Sequence, residues 1–530
     1  MADAVGFHEI AGPGTPARRP DTLWWLAAVT LAVVLAVPFF LVDVPPVLDY
    51  PNHLARYFVL AHPDDPYLSQ IYQPQWRLVP NTGMDALGAV LLKLTSVHVG
   101  GRMLLALSLF APVIGVIAYH RVAFGRFEYW PLASGLIAYN GIFFLGFMNF
   151  LLSLGLALVG AACWMAQRRG GGRWGAVAVG GVAGALIFLG HLFGVIMFAL
   201  LIGAQEWARL WSQRRSGDFV PQLAVTVGLL ALTLAPAVLL YLAGPLSEGA
   251  AAPGAWLGFR KIWTSFTPFM TTNVWLTVWT ATGVAAVLLL CWRHAVLAPG
   301  IWLAMLLLAL LFLAAPTSIK GASFVDVRLP LMIALLLFGG LQPNFQRREA
   351  MVAAVIVTGL LVIRTGYISS DWIAHRRDLA DLRRAIAPLP PLSRVLVASS
   401  VVGTALYDEV PSRLLPGMYR LDRHLGALVA IERHGFWPLM FADPTQQPVE
   451  VKPPYRALSQ PLGEPVLLSA LGAETYTERM LFDSRYLPGW RSGFDYVLLI
   501  LPNSEQPLPP GVVPVVSTDF ANMYRIQPPL

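Results

Sequence analysis

Apolar runs long enough to cross a bilayer recur along the chain, and they limit its fold more than any other feature. A helix needs roughly 20 residues to cross roughly 30 Å of hydrocarbon. Runs at about 23–42, 101–119, 129–145, 148–166, 174–190, 192–209, 220–243, 274–292, 298–315, 329–341 and 350–366 give eleven candidate spans. Of the 530 residues, 56% are hydrophobic and only 13% charged. Water-soluble domains carry about a quarter charged residues, so the apolar surplus must face lipid. The 17 Trp, 16 Tyr and 27 Phe suit a protein with two membrane interfaces, where amphipathic rings collect. Disorder, a collagen-like repeat and a disulfide-stapled secreted domain are excluded. Cys163 and Cys291 both fall inside apolar runs, far apart in sequence, so neither a metal site nor a disulfide is expected of them.

The net charge of +7 would suggest a nucleic-acid partner in a soluble protein. Here the arginines cluster between apolar runs, where they set membrane orientation, and no nucleic acid is expected. With the amino terminus in the cytoplasm, 13 basic residues fall in short cytoplasmic segments: Arg18, Arg19, Arg121, Arg126, Arg168, Arg169, Arg173, Arg209, Arg214, Arg215, Arg293, Arg347 and Arg348. The other side keeps fewer, mainly Arg56, Arg77, Lys93, Arg102, Arg260, Lys261, Lys320 and Arg328, and each of these needs another reason to exist. Val44-Pro45-Pro46 follows the first run in place of a small-residue cleavage site, so that run reads as an uncleaved span. The expected organisation is a cytoplasmic tail (1–22), a transmembrane module (23–366) with its first external loop at 43–100, and an extracytoplasmic domain (367–530). The setting this implies is the bacterial inner (plasma) membrane, with the last domain in the periplasm.

Within the first loop, 50–61 and 84–96 read as short amphipathic helices lying on the membrane. In the tail, 371–386 reads as an amphipathic helix, and 394–399 (RVLVAS) and 496–501 (YVLLIL) read as buried strands among Pro and Gly turns. The predicted fold class is therefore a polytopic α-helical membrane protein of about eleven spans with a small C-terminal α/β domain.

The strongest chemical signal is Asp49-Tyr50-Pro51-Asn52-His53-Leu54-Ala55-Arg56, just past the first span. A helix starting near Asn52 places His53 one turn beyond Asp49 and Arg56 at i+3 from His53. A carboxylate, an imidazole and a guanidinium then converge at the membrane surface, where Asp49 can act as general base toward an acceptor hydroxyl with His53 as its catalytic companion, and Arg56 is a candidate to hold the donor phosphate. The alternative is helix capping by Asp49 beside a solvated His53. Asp64 and Asp65, between Pro63 and Pro66, read as a surface turn, the alternative being that they supply further carboxylates. A second patch, Thr317 to Pro330, brings Lys320 and Arg328 to the external end of a span, where a lipid phosphate would have to be held. Asp326 is placed to orient Arg328; the competing reading is snorkelling to headgroups. Arg260 and Lys261 meet either the same phosphate or anionic headgroups. His191 marks the tip of an outward helical hairpin, in contact with donor or acceptor or merely solvated, and Asn140 and Asn149 either bond sugar hydroxyls or close turns.

An uncleaved first span, a first external loop opening on an acidic residue and carrying two short helices, further spans and an outer α/β tail together resemble the GT-C superfamily of integral-membrane glycosyltransferases. Similar architectures occur in the lipid A aminoarabinose transferase, the protein O-mannosyltransferases and the bacterial oligosaccharyltransferases. The resemblance covers the whole chain in architecture and short patches in motif. It implies an enzyme that takes a sugar from a polyprenyl phosphate or pyrophosphate, outside the cytoplasm, with inversion, and gives it to a lipid, polysaccharide or protein acceptor. It makes Asp49 the catalytic base or a metal-associated group. Many members show a paired acidic motif, whereas Asp49 is followed by Tyr50 and Pro51, so metal dependence stays open, with Mg2+ or Mn2+ as candidates.

No P-loop, dinucleotide glycine fingerprint, HExxH or Cys/His zinc spacing occurs in the sequence. Cytoplasmic loops are too short for a nucleotide-sugar domain, so an activated donor must arrive dissolved in the membrane. A transporter or export component without covalent chemistry is the competing class, and transporters tend to show inverted repeats that are not evident here. An O-antigen ligase or polymerase would share the substrates but usually carries its large loop late in the chain.

Overall fold

The computed structural model describes residues 20–214, 218–244, 256, 258–319, 322–400, 413–417, 419–503 and 505–527. From the amino end, α1 (Thr22–Ala36) starts on Asp21, whose carboxylate accepts the Trp24 backbone N–H at 2.7 Å, and continues through a 3-10 turn to Phe40. The first loop holds α2 (Tyr50–Ala61), the short strand β1 (Tyr72–Pro74) and α3 (Gly83–Leu94). There follow α4 (Val97–Phe124), a 3-10 helix over Trp130–Ile137, the short α5 (Gly141–Leu145), α6 (Met148–Arg169), α7 (Arg173–Gly190), α8 (Leu192–Ser212) and α9 (Phe219–Leu242). After α10 (Arg260–Thr264) come α11 (Val274–Cys291), α12 (Ile301–Ala314), α13 (Val325–Gly340) and α14 (Arg347–Ile386).

Among the described residues, eight helices are long and apolar enough to cross a membrane, and two shorter apolar stretches, Trp130–Leu145 and Ile301–Ala314, join them. All eleven expected runs fall on helical segments, the remaining one on α13. The run at 129–145 is not one straight helix. Pro131 at the start favours a 3-10 turn, and Asn140 then restarts the chain as α5 by accepting the Phe143 N–H at 3.0 Å. The helix expected at 371–386 exists as the end of the 40-residue α14, continuous with the last span.

The first of the two first-loop helices is packed rather than laid on a surface: most of α2, including Asn52 and Arg56, is buried, whereas α3 keeps Leu87, Val90 and Leu94 exposed on one face. The tail covers α2. Its five-stranded sheet contains β2 (Val395–Ser399), β4 (Val466–Leu467), β5 (Tyr496–Ile500), β6 (Val512–Val516) and β7 (Ala521–Ile526), in the order β6-β7-β5-β2-β4. β2 runs parallel to both β4 and β5, while β7 is antiparallel to β5 and β6. A further strand, β3 (Val449–Val451), pairs antiparallel with β1 in the register Tyr72↔Val451, so loop and tail share a ladder. The Asn52 amide adds a second tie: its Nδ2 donates to Leu439 O and its Oδ1 accepts from Phe441 N, both at 2.8 Å.

Candidate functional site

Asp49 is the residue before α2, and its side chain is not used as a helix cap. It lies against the α5–α6 connection, where Asp49 N–H donates to Leu145 O (3.2 Å) and Leu48 N–H to Phe144 O (2.8 Å). Gly146 turns that connection in the left-handed region (φ 83°), and a Cβ there would sit 2.9 Å from the Asp49 Cβ. Only glycine permits both the turn and the approach.

The Asp49 carboxylate meets His424 from the tail, Nδ1 to Oδ1 at 3.1 Å. His424 is buried, with Trp437 and Phe441 edge-on to its ring. One turn into α2, the His53 ring stacks near Tyr57 and takes Phe441 edge-on at 5.3 Å. Arg56 donates to His53 Nδ1 at 3.1 Å, so that nitrogen is an acceptor. Burial, reinforced by the charge of Arg56 and by His424, holds the His53 imidazole well below its ordinary range. Burial also lowers His424, against the opposing pull of Asp49. Of the two imidazoles, His424 is the one against the carboxylate, while His53 is held by Arg56.

Arg56 has a partner other than the expected phosphate. Its guanidinium clamps Asp85 of α3 from Nε (2.6 Å) and Nη2 (3.2 Å), with both side chains buried. Sequence reasoning passed over Asp85 because an acidic residue in the first turn of a helix is ordinary.

Arg328, in the first turn of α13, sits on the far side of the Gly146-Phe147 connection. Its guanidinium carbon lies 4.7 Å from the Phe147 ring centre, 5.4 Å from Phe193 and 5.9 Å from Phe150. It is only 8% exposed and makes no hydrogen bond to any described residue, and its Nε is buried without a partner. Its charged neighbour is Asp49. His191, at the α7–α8 turn, is edge-on to Phe150 and feels the Arg328 charge, while its Nδ1 accepts the Phe193 N–H at 3.1 Å. The turn between Gly146 and Phe150 therefore joins carboxylate, guanidinium and imidazole in one place.

Three expectations change. Asp326 does not orient Arg328: its Oδ2 accepts from Lys261 Nζ at 3.0 Å, and Lys261 also donates to Ala315 O at 2.6 Å. Lys261 is thereby a buried ion-pair partner, neither free for phosphate nor reaching headgroups, because the carboxylate across from it satisfies its charge. Arg260 turns toward the tail and donates to Gly417 O at 3.1 Å. Asn149 is spent on the backbone of the first loop, accepting from Met84 N and donating to Asn81 O, both at 2.8 Å, so it fixes the start of α3 instead of offering a sugar contact. Lys320 lies outside the described residues. Of the other basic residues that the expected orientation left unexplained, Arg77 donates to Pro444 O and Arg102 to Phe39 O and Val42 O. Their reasons to exist are joints between segments; Lys93 is exposed.

Among the described residues no group of three or more His, Cys, Asp and Glu is arranged to hold a metal ion. Asp85, a further buried carboxylate of the first loop, is committed to Arg56.

The fold and site define a multi-pass helical membrane protein with an acid–imidazole pair and a caged arginine at one end of its bundle, closed by an α/β domain. No protein-family model matches the chain, and no curated protein sequence does. Among solved structures it is similar to the arabinofuranosyltransferase AftD from mycobacteria, seen by cryo-electron microscopy, at 14% identity and a TM-score of 0.42. That alignment covers 96% of this chain and spans 42% of the length of AftD.

Proposed function

We propose that the chain is a membrane glycosyltransferase that moves a sugar from a polyprenyl-phosphate donor to an acceptor hydroxyl on the outer face of the bacterial inner membrane. One observation carries this reading: a buried guanidinium with no hydrogen-bond partner among the described residues has the partly open Asp49 carboxylate as its charged neighbour, and Asp49 itself abuts Gly146, next to the Phe147 ring under that guanidinium. A buried cation without a bonded anion is costly, and a phosphate oxygen satisfies it through two N–H groups. Asp49, 14% exposed at its side chain, is accessible to an acceptor.

The chemistry balances with these groups alone. Asp49 takes the acceptor hydroxyl proton as the oxygen forms its bond to the anomeric carbon. The bond from that carbon to the phosphate oxygen breaks with its electron pair, leaving polyprenyl phosphate. Charge grows on the phosphate as this happens, so Arg328 contributes more in the transition state than in the ground state. Attack opposite the leaving group inverts the anomeric configuration. His424, 3.1 Å from the carboxylate, positions it, and the Arg56–Asp85 pair ties α2 to α3.

The test is transfer of radiolabel from polyprenyl-phosphate sugars by purified protein. Asp49→Asn is expected to lose on the order of 100-fold or more in kcat, and Arg328→Ala a similar amount with a raised KM for donor. Full transfer by Asp49→Asn in folded protein removes Asp49 as base.

A further inference from the structure

A cavity of about 330 Å³ opens in the tail at the carboxyl ends of three adjacent parallel strands, where Ser399 ends β2, Leu467 ends β4 and Ile500 ends β5. Open α/β sheets bind ligands at this position, and the size falls in the range of about 300–1,000 Å³ that small-molecule sites occupy.

The walls carry paired charges. Arg420 grips Asp422 through two bonds, 2.6 and 3.1 Å, yet its Nη1 is buried with no partner. Arg423 lies over the Tyr419 ring at 4.8 Å and 3.4 Å from Glu464, and its Nε is likewise buried and unpartnered. Arg479 faces Asp483 at 2.7 Å. Each guanidinium is balanced by a carboxylate, so the cavity offers donors and acceptors together without a net field to select an anion. Hydroxyl groups, which need both, are the groups it matches. Leu467, Met480 and Ile500 supply apolar surface for the C–H faces of a sugar ring.

Position adds to chemistry. Arg423 precedes His424, the residue against Asp49. Tyr419 is edge-on to Phe324 at 5.4 Å, the residue that opens the Arg328 helix. The cavity thus backs onto the Asp49–Arg328 site through two successive contacts.

We infer that this cavity binds a neutral saccharide unit, the part of an acceptor glycan next to the hydroxyl that reacts. The word acceptor rests on the function proposed above; saccharide binding stands without it. The experiment is saturation-transfer NMR on the full-length protein in nanodiscs, with the methyl glycosides of glucose, galactose, mannose and arabinose, and methyl glucuronide as an anionic probe. Each is tested at about 10 mM, which fills a millimolar site.

At least one neutral glycoside is expected to receive saturation from wild type and equally from Asp49→Asn. The signal is expected to fall about tenfold in Leu467→Trp, which fills the cavity, and in Met480→Trp, at its half-exposed rim, where folding is less at risk. Silence from all four neutral glycosides, preference for the glucuronide, or an unchanged signal in both tryptophan variants overturns the inference. Because no donor or turnover is needed, failure here is separate from failure of the transferase reading, which is judged by the label transfer of Asp49→Asn.

Discussion

At the scale of single residues, the site depends on positions where one atom more or one proton more matters. Gly146 is the first. Alanine there must hold a left-handed φ, costing about 1–2 kcal/mol, and its methyl group would push on Asp49. Gly146→Ala is expected to leave a folded protein whose kcat falls on the order of 100-fold, since a displacement of about 1 Å at reacting groups costs that much. The check is turnover beside an unchanged far-ultraviolet spectrum, and normal turnover would show that Asp49 is not held by this turn. The second is the pair of depressed imidazoles. An unfolded histidine takes a proton near about pH 6.5, whereas folded His53 and His424 resist it. Below that pH the unfolded state binds more protons, so stability falls as pH drops through about 6.5 and continues to fall until the lowered folded values are reached. Tm in detergent is expected to decrease from about pH 7.5 to 5.5, with a shallower slope in His53→Gln. Equal slopes would remove His53 as the source.

At the scale of elements, the spans were legible because hydrophobic length is a local property. The strands at Val395–Ser399 and Tyr496–Ile500 were legible as short β-branched runs. Asp49 stood out by its place after a span. Its partner His424 did not, because a lone histidine in a loop carries no local mark, and it is long-range contacts such as the β1–β3 ladder and the Asn52 bonds that bring it there. Arg364 was hidden for another reason: it closes an apolar run and looks like an end. Inside the bundle it is buried in α14 and donates to Phe269 O (2.8 Å), Tyr139 O (2.6 Å) and Thr280 Oγ1 (3.0 Å), fastening α14 to α11 and to the connection before α5. Removing the charge relieves a desolvation cost, but leaves two carbonyls without donors in a dry interior. Three bonds at the membrane average of about 0.6 kcal/mol each come to about 2 kcal/mol. Arg364→Leu is therefore expected to lower Tm, and an unchanged Tm would mean the two effects cancel.

At the scale of the whole molecule, the carboxylate and the caged arginine belong to the helical module, while the imidazole against the carboxylate belongs to the tail. Neither part holds the whole cluster, which is complete only where the two meet. The ties of that joint include the β1–β3 ladder, the Asn52 amide, the Arg77 bond to Pro444 O, Lys452 Nζ donating to Ser69 O and the His434–Asp65 pair. His424, Trp437 and Phe436 are buried behind this joint, and opening it would expose aromatic surface and strand His424 away from Asp49. Turnover with the tail docked is the arrangement this burial favours. Gln73 and Glu450 are directly opposed in the ladder, with Gln73 Nε2 donating to Glu450 Oε2 at 3.3 Å. A disulfide between Gln73→Cys and Glu450→Cys in a protein freed of Cys163 and Cys291 locks the joint. Opposed residues of an antiparallel pair lie about 4.5–5.5 Å apart at Cα, within the span a disulfide accepts. The oxidised protein is expected to transfer label at the rate of its reduced form. A loss on oxidation that dithiothreitol reverses would instead show that the tail must swing away in each cycle.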